Sequence, residues 1–340
     1  MEPPTVSPLA FPIGSIKNAL NIRKILLPVD LPGTSLPVVR HAAALARRFH
    51  SEIVMLHVVT AQGHAAGVPE GSPQFAGWDS LAEMVRGAEK NLGHSLGPEH
   101  EGLAIRFVLV KGEPARAIVE TAQAEKADLI MMPSHGYTFN QFLLGSVTAK
   151  VLHRTECPIW TGAHVEEPEG LPTPNNPLFM FGGVGIRDKQ LAQADGEEVK
   201  QQGVQEFAIH NVLCAVDFGP RSHNTAWWAA QIAAEFGARL TLAHVTASVE
   251  LWGPGGSYVN QKWKEELVSD ASQRIANLQQ EVGIKANVLI GSGDGAKVLS
   301  QAAKQTKADL LVTACYPYGG NLRIHGYSII CAVPIPVLSV

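Results

Sequence analysis

The sequence predicts an α/β fold made of two tandem domains, each with a five-stranded parallel sheet. Short, continuously apolar runs alternate with segments of helical period, which is the pattern of parallel strands covered by helices on both faces. The alternation stops near the middle of the 340 residues and then begins again with the same short motifs. A chain of this length is expected to form two domains, each large enough to bury its own core.

Five apolar runs in the first half have the length of buried strands. The first, KILLPVD, ends at turn residues, and the last, PIWT, begins at a proline. Between them lie segments with apolar residues at helical spacing, such as Val38, Ala42 and Leu45 after Pro37. Five strands in this alternation favour a flavodoxin-like winding, whose ligands bind beyond the carboxyl ends of the strands. The predicted strands are residues 24–30, 53–59, 105–110, 129–132 and 158–161, and helices are predicted near residues 37, 78, 114 and 146.

The second half repeats the first. Asp30 and His57 recur as Asp217 and His244 at one constant offset, and Asp128 recurs as Asp309 at a slightly shorter one. This shared VD…HV…ADL frame indicates a tandem duplication of one domain. The apolar stripes of two helices recur as well, at Trp228, Ile232 and Phe236 and then at Trp263, Leu267, Ile275 and Leu278.

The composition predicts where the domains begin and end. Residues 1–20 are rich in proline and have no sustained period, which indicates an N-terminal extension. Residues 165–206 contain EEPEGLPTPNNP and a stretch rich in Gln and Glu, which is typical of a linker or inserted loop. The apolar residues 179–181 within it hint that part of this segment packs on a domain. The predicted domains are therefore residues 21–164 and 207–340.

The bulk properties argue against several classes of protein. The net charge is −4 and no basic block is present, so the sequence lacks the footprint of a nucleic-acid-binding protein. No apolar run is long enough to span a bilayer, and the first residues do not resemble a secretory signal. The four cysteines are scattered without a CxxC pair, as expected of reduced thiols in a cytoplasmic protein. We therefore expect a cytoplasmic protein with no membrane or nucleic-acid partner.

Residues 128–148, DLIMMPSHGYTFNQFLLGSVT, have the organisation of a phosphate-binding loop. A buried strand leads into a glycine-containing loop, and Gly145 and Ser146 then open a helix. Free backbone N–H groups at a helix start point towards a bound anion, and the helix dipole favours negative charge there. Glycine allows close approach, and the hydroxyls of Ser146 and Thr148 can also donate. A plain strand-loop-helix connection capped by Ser146 is the alternative.

These motifs resemble the universal stress protein family in its tandem two-domain form. The similarity lies in LLPVD, MLHVV, VKGEPARAIVETAQAEKADLIMMPSHG and LLGSVTAKVLHRTECPIW, and in VLCAVDF, LTLAHVT and IPVLSV of the second half. The resemblance implies a five-stranded parallel α/β sandwich of the adenine-nucleotide α-hydrolase-like kind, with ATP, accompanied by Mg²⁺, as the ligand. The residues it implies for nucleotide binding are Pro28, Val29, Asp30, Val58, Met132, His135, Gly136, Gly145, Ser146, Val147 and Thr148.

The first repeat departs from the family motif, a Gly-x-x-Gly followed by nine residues and Gly-Ser/Thr, in two places. Pro133 stands at the first glycine position, and eight residues instead of nine separate Gly136 from Gly145. Proline removes one N–H donor at that position. The second repeat has no Gly-Ser helix start in residues 314–327, which predicts a degenerate copy that does not hold a triphosphate.

Four polar residues admit a structural as well as a functional interpretation. Asp217 can simply cap the turn that follows its strand. His57 and His244 have no further metal ligands at a suitable spacing, which favours a structural role at a strand end. His135 lies in the phosphate loop, where contact with a phosphate and a role in the turn are both open.

The leading hypothesis is a stress-response protein that binds an adenine nucleotide in its first domain and acts as a nucleotide-dependent regulatory or interaction module. The resemblance also implies that the two repeats pack through their last strands as an intramolecular pseudo-dimer, and a homodimer remains open. The alternative is a nucleotide-free interaction module without enzymatic activity. An enzyme of the related α-hydrolase folds would need an SGG-type loop or an HxGH pair, and neither is present. A P-loop is also missing, so at most slow ATP hydrolysis is expected.

Overall fold

The computed structural model describes residues 20–29, 36–60, 86–87, 102–133, 144–162, 207–247, 256–314 and 323–340. Within these residues most strands are followed by a helix along the sequence. The strands are β1 (Lys24–Pro28), β2 (Glu52–Val59), β3 (Ala104–Lys111), β4 (Leu129–Pro133), β5 (Ile159–Gly162), β6 (Asn211–Ala215), β7 (Arg239–Thr246), β8 (Asn287–Ser292), β9 (Leu310–Thr313) and β10 (Val337–Ser339). The helices are α1 (Leu36–Phe49), α2 (Pro114–Glu125), α3 (Ser146–Leu152), α4 (Ser222–Phe236), α5 (Gly256–Val282), α6 (Gly295–Thr306) and α7 (Arg323–Ala332).

All of these strands belong to one sheet, in the order β3-β2-β1-β4-β5-β10-β9-β6-β7-β8. The strands of each half pair in parallel, with Leu26 of β1 opposite Val54 on one side and Ile130 on the other. The two halves are joined where β5 and β10 pair in antiparallel fashion, with Trp160 opposite Leu338. The predicted α/β class and the predicted meeting of the two last strands are therefore present.

Successive residues along the strands bury against helices on opposite faces of the sheet. Leu26, Val54 and Ile130 belong to an apolar layer that α2, α3, α6 and α7 cover. The neighbouring residues Ile25 and Leu129 are equally buried, at 0% and 1% exposure, and lie on the opposite face. Continuous apolar strands form because both faces are covered, which is why the alternation typical of a half-exposed sheet is missing.

Helices α2 and α6 show how local sequence defines the same element in both halves. The carboxylate of Glu113 accepts the backbone N–H of Arg116 at 2.8 Å, and that of Asp294 accepts the N–H of Lys297 at 2.9 Å. An acidic N-cap satisfies a donor that has no partner within the helix. Both helices end at a lysine in the left-handed conformation, Lys126 and Lys307.

One residue of the predicted apolar stripes does not lie in the core. Ile275 and Leu278 of α5 are buried as expected, but Trp263 is 53% exposed. Helix α5 has 27 residues, about 40 Å at 1.5 Å per residue, whereas the eight-residue strand β7 spans only about 27 Å. The first turns of α5 therefore have no sheet beneath them. The predicted helix near residue 78 lies outside the described residues except for residues 86–87, and so do the predicted extension before Leu20 and the linker up to residue 206.

Candidate nucleotide-binding site

The winding of the first half places a topological switch point between β1 and β4. From β1 the chain adds β2 and β3 on one side and β4 and β5 on the other, so the direction of winding reverses between β1 and β4. Ligands of open α/β sheets bind outside the carboxyl ends of the strands at such a switch point. The structure thereby brings together predicted residues from two distant segments: Pro28 and Val29 at the end of β1, and Met132 in β4.

The end of β1 is held in place by β2. The backbone N–H of Val29 donates to the carbonyl of Leu56 at 2.8 Å, and Nδ1 of His57 lies 3.0 Å from the carbonyl of Val29. His57 thus anchors the strand end, which supports the structural interpretation of this residue. Val58, the next residue of β2, is half-buried near the same edge.

The predicted phosphate-binding helix, α3, begins at the predicted position. Gly145 is its N-cap, with φ −56° and ψ 139° and no side-chain cap hydrogen bond among the described residues. The first N–H groups of a helix have no partner within the helix. The start of α3 at Ser146 and Val147 therefore offers backbone donors, and the alternative that Ser146 is itself the N-cap is not borne out, because Gly145 takes that position.

Thr148 connects α3 to the end of β4. Its hydroxyl donates to the carbonyl of Pro133 at 3.0 Å, and the residue is only 4% exposed. Pro133 lacks the N–H that a glycine would offer at this position, but its carbonyl fixes the helix start relative to the strand. The Thr148 hydroxyl is therefore bonded within the protein and holds the start of α3 against the end of β4.

Two cations, Lys150 in α3 and Arg154 just after it, are paired with Glu113, the N-cap of α2. Lys150 Nζ lies 3.3 Å from Oε1 of Glu113, and an Arg154 amino group lies 3.4 Å from Oε2. The backbone N–H of Arg116 and, after it, Lys150 lower the pKa of Glu113. Because both cations have a carboxylate partner, an anion at the start of α3 would be met mainly by backbone N–H groups.

Three predicted residues, Asp30, His135 and Gly136, lie outside the described residues. Every other predicted position of the first repeat is located at the carboxyl edge of β1, β2 and β4 or at the start of α3. Among the described residues no group of three or more His, Cys, Asp or Glu side chains could hold a metal ion. Likewise, no helix in the described part of the chain is long and apolar enough to cross a membrane.

The corresponding edge of the second repeat is occupied by its own side chains. The carboxylate of Asp217 accepts the backbone N–H of Gly219 and the hydroxyl of Ser222, both at 2.8 Å. Asp217 therefore caps the turn after β6, which is the structural role anticipated for it. His244 repeats the anchoring of His57, with Nδ1 2.7 Å from the carbonyl of Val216.

Sequence reasoning missed an aromatic stack at this edge. The ring of Phe218 lies 4.3 Å from that of His244, and the guanidinium of Arg274 lies 4.3 Å from the Phe218 ring centroid. Phe218 also has φ +57°, a conformation that few residues other than glycine adopt. A large aromatic residue directly after the strand-end aspartate is the signal that could have drawn attention to it.

Comparisons with known proteins match both halves separately. A model of the universal stress protein family matches residues 21–161 and 208–323. A universal stress protein of Methanocaldococcus jannaschii is 33% identical over 148 residues, which are 42% of this chain and 84% of that protein. One of Methanothermobacter thermautotrophicus is 31% identical over 144 residues, 40% of this chain and 92% of that protein. Each relative thus spans a little less than half of this chain.

Solved structures match the chain over nearly its whole length. A universal stress protein from Archaeoglobus fulgidus has a TM-score of 0.57 at 20% identity, covering 94% of this chain and 96% of that chain. A Pseudomonas aeruginosa protein of unknown function has a TM-score of 0.56 at 14% identity, covering 94% and 92%. Similarity at these identities establishes the fold.

Proposed function

Because the chain belongs to the universal stress protein family, we propose that its first repeat binds an adenine nucleotide, ATP, and serves as a nucleotide-dependent regulatory or interaction module in a stress response. The observation that carries this proposal is the convergence of the ends of β1 and β4 at the switch point. Predicted contacts for the base and ribose (Pro28, Val29) and the strand leading into the phosphate loop lie side by side there.

The start of α3 fits a phosphate group. The φ and ψ of Gly145 describe extended backbone that any residue can adopt, so the local conformation does not require glycine. A glycine at this position is instead explained by close approach of a ligand to the backbone. The nucleotide would bring its charge to donors that the helix leaves unpaired.

Any Mg²⁺ would arrive with the nucleotide. The described residues contain no cluster of side chains that could hold a metal without help from a ligand. Mg²⁺ is commonly bound through substrate phosphates and one or two carboxylates. The proposed role for Mg²⁺ is therefore as a counterion of the triphosphate.

A nucleotide-free interaction module is the second candidate. The Thr148 hydroxyl bonds to the carbonyl of Pro133, and Lys150 and Arg154 pair with Glu113. These contacts favour the second candidate, because all three side chains already have partners within the protein. Mass spectrometry of small molecules released from the purified, denatured protein separates the two candidates. Release of about one adenine nucleotide per chain supports nucleotide binding, and release of none favours the second candidate.

A paired substitution tests the position of the site. We expect Gly145→Asp to abolish ATP binding without unfolding the domain, because a carboxylate at the helix start repels phosphate. Gly295→Asp is the matched control: Gly295 opens α6 of the second repeat, and a Cβ there meets nothing within 4 Å. Thermal unfolding with and without ATP is the measurement, and a hundredfold excess over Kd should stabilise the wild type and the control by about 2.7 kcal/mol.

Titration calorimetry completes this test. The wild type should bind at most one ATP per chain, because the second repeat lacks the Gly-Ser helix start. Equal stabilisation of Gly145→Asp and wild type by ATP would show that the phosphate site has been misplaced. A stoichiometry near two would refute the degenerate state of the second repeat.

A further inference from the structure

The two repeats meet in the helical layer as well as in the sheet. At the carboxyl end of α1, Arg48 Nε lies 2.8 Å from Oε1 of Glu235 at the end of α4, and an Arg48 amino group also donates to the carbonyl of Glu235. The rings of Phe49 and Phe236 meet edge to face, with centroids 6.5 Å apart. The Arg48 guanidinium also lies 5.6 Å from the centroid of the Phe236 ring. This cluster, residues 48, 49, 235 and 236, is here called the helix-end contact.

Each residue of the helix-end contact faces its own counterpart. Arg48 and Glu235 are separated by the same offset that relates the two repeats, and so are Phe49 and Phe236. The starts of β2 and β7 also differ by this offset. In the sheet, Trp160 and Leu338 pair directly, and each is the second residue of its strand. Contact between equivalent positions is the mark of a two-fold axis, so a pseudo-two-fold axis relates the repeats through both layers.

At such an axis, two identical repeats would bring identical residues together. A pair of first repeats would place Arg48 against Arg48, and a pair of second repeats would place Glu235 against Glu235. Like charges placed in contact disfavour a pairing, and opposite charges favour it. The ion pair seen here is available only between one first repeat and one second repeat.

We propose that the Arg48–Glu235 pair makes the pseudo-two-fold interface selective, so that the first repeat takes the second repeat as its partner and rejects another first repeat. The partner that this surface fits is a repeat carrying an acidic residue at the position of Glu235. Selectivity matters for a tandem chain because pairing of like repeats would link separate chains. The selective interface thereby disfavours like-repeat pairing, one route by which separate chains could become linked.

A second contact at the interface is also one-sided. The backbone N–H of Leu20, which precedes β1, donates to Oε1 of Gln231 in α4 at 3.2 Å, and both residues are buried. At the repeat offset, the counterpart of Gln231 in the first repeat is Ala44, whose side chain has no acceptor. A pair of first repeats would lose this hydrogen bond too. The asymmetry therefore has two independent sources.

A charge-reversal cycle in the full-length chain tests the proposal. Arg48→Glu and Glu235→Arg each create a like-charge contact, so each should lower Tm, by about 2 °C. The double reversal restores an opposite pair and should recover Tm, and high salt should shrink the differences. The control pair is Arg116 and Glu120, an exposed ion pair within α2 that does not touch the other repeat. If the double reversal has a Tm no higher than the sum of the single effects predicts, the proposal is overturned.

Selectivity itself is measured by refolding. The neutral variant Arg48→Gln/Glu235→Gln keeps a polar, unbranched side chain at both positions and removes the charge preference. After denaturation and refolding at high protein concentration, light scattering on a sizing column should give a dimer fraction about threefold above that of wild type, the size expected for an exposed ion pair. The Arg116→Gln/Glu120→Gln control should match wild type. Equal dimer fractions for the neutral variant and wild type would also overturn the proposal.

Discussion

Two aspartates, Asp128 and Asp309, show how a repeated motif can be structural. Oδ2 of Asp128 accepts the backbone N–H groups of Arg23 and Lys24, and Oδ2 of Asp309 accepts those of His210 and Asn211. These donors lie at the amino ends of β1 and β6, opposite the candidate site. The ADL motif therefore recurs in both repeats because its aspartate holds the first residues of β1 and of β6 in place.

We expect Asp128→Ala and Asp309→Ala to destabilise the protein by similar amounts, about 1–3 kcal/mol, because each leaves two backbone donors without their acceptor. ATP binding should be unaffected by Asp128→Ala, since the carboxylate is at the far end of the sheet. Urea unfolding followed by circular dichroism is the measurement, with Asp270→Ala in the exposed face of α5 as the control. A loss of ATP affinity without a loss of stability would contradict the structural role.

Ion pairs, as well as apolar burial, hold the ends of strands and helices in place. At the amino ends of β1, β2 and β3, Arg106 contacts Glu52 at 2.9 Å and Glu125 at 2.7 Å, while Lys24 contacts Glu125 at 3.0 Å. This four-residue network ties three strands to the last turn of α2. Hydrogen bonds from Arg106 and then Lys24 lower the pKa of Glu125 to about 2.

The lowered pKa of Glu125 predicts how stability changes with pH. Because the folded-state pKa lies below the ordinary value of 4.5, the stabilisation is complete above about pH 4.5 and is lost as the pH falls towards 2. The side chain is 23% exposed, so solvent screening limits the effect to about 1 kcal/mol. Glu125→Gln should therefore be less stable than wild type at pH 7, and the deficit should shrink by pH 3.

Denaturant unfolding of wild type and Glu125→Gln at several pH values measures this deficit. Glu120→Gln on the exposed face of α2 serves as the control, since its partner Arg116 is also exposed. A deficit of the same size at pH 7 and at pH 3 would mean that the ionised Glu125 carboxylate contributes nothing to the fold.

At the scale of the whole molecule, β10 holds the two halves together. It pairs with β9 in parallel and with β5 in antiparallel fashion, and Val337, Leu338 and Val340 are at most 2% exposed. The prolines before β5 and β10 still contribute carbonyls, which accept the N–H groups of Ile130 and Leu311. Neither β5 nor β10 is an open edge, because each repeat covers the edge of the other.

Removal of residues 336–340 should cause chains to associate. The truncation uncovers the pairing groups of β5 and β9, and an open apolar strand edge recruits another strand. Sizing with light scattering over a range of protein concentrations measures the association. Val288→Lys on the outer edge strand β8 is the control, because it alters a sheet edge that the other repeat does not touch. A truncated protein as monomeric and stable as its parent would refute this role of β10.

The sequence by itself determined the strands of the first half, the repeat and the family, because these depend on local patterns. Continuous apolar runs such as residues 53–56 fit only a strand buried on both faces, and the acidic caps Glu113 and Asp294 define a helix start within a few residues. The start of α3 at Gly145 and Ser146 is likewise a local property, which is why that part of the candidate site could be located before the structure was known.

Only the tertiary structure decided the roles that depend on distant neighbours. It placed Trp263 in solvent because α5 is longer than the sheet beneath it, and it brought both His244 and Arg274 against the ring of Phe218. It also brought Arg48 of the first repeat to Glu235 of the second. Helical period and strand length carry no information on such contacts. The contacts depend on how the two halves of the sheet join and on which positions the pseudo-two-fold axis then brings face to face.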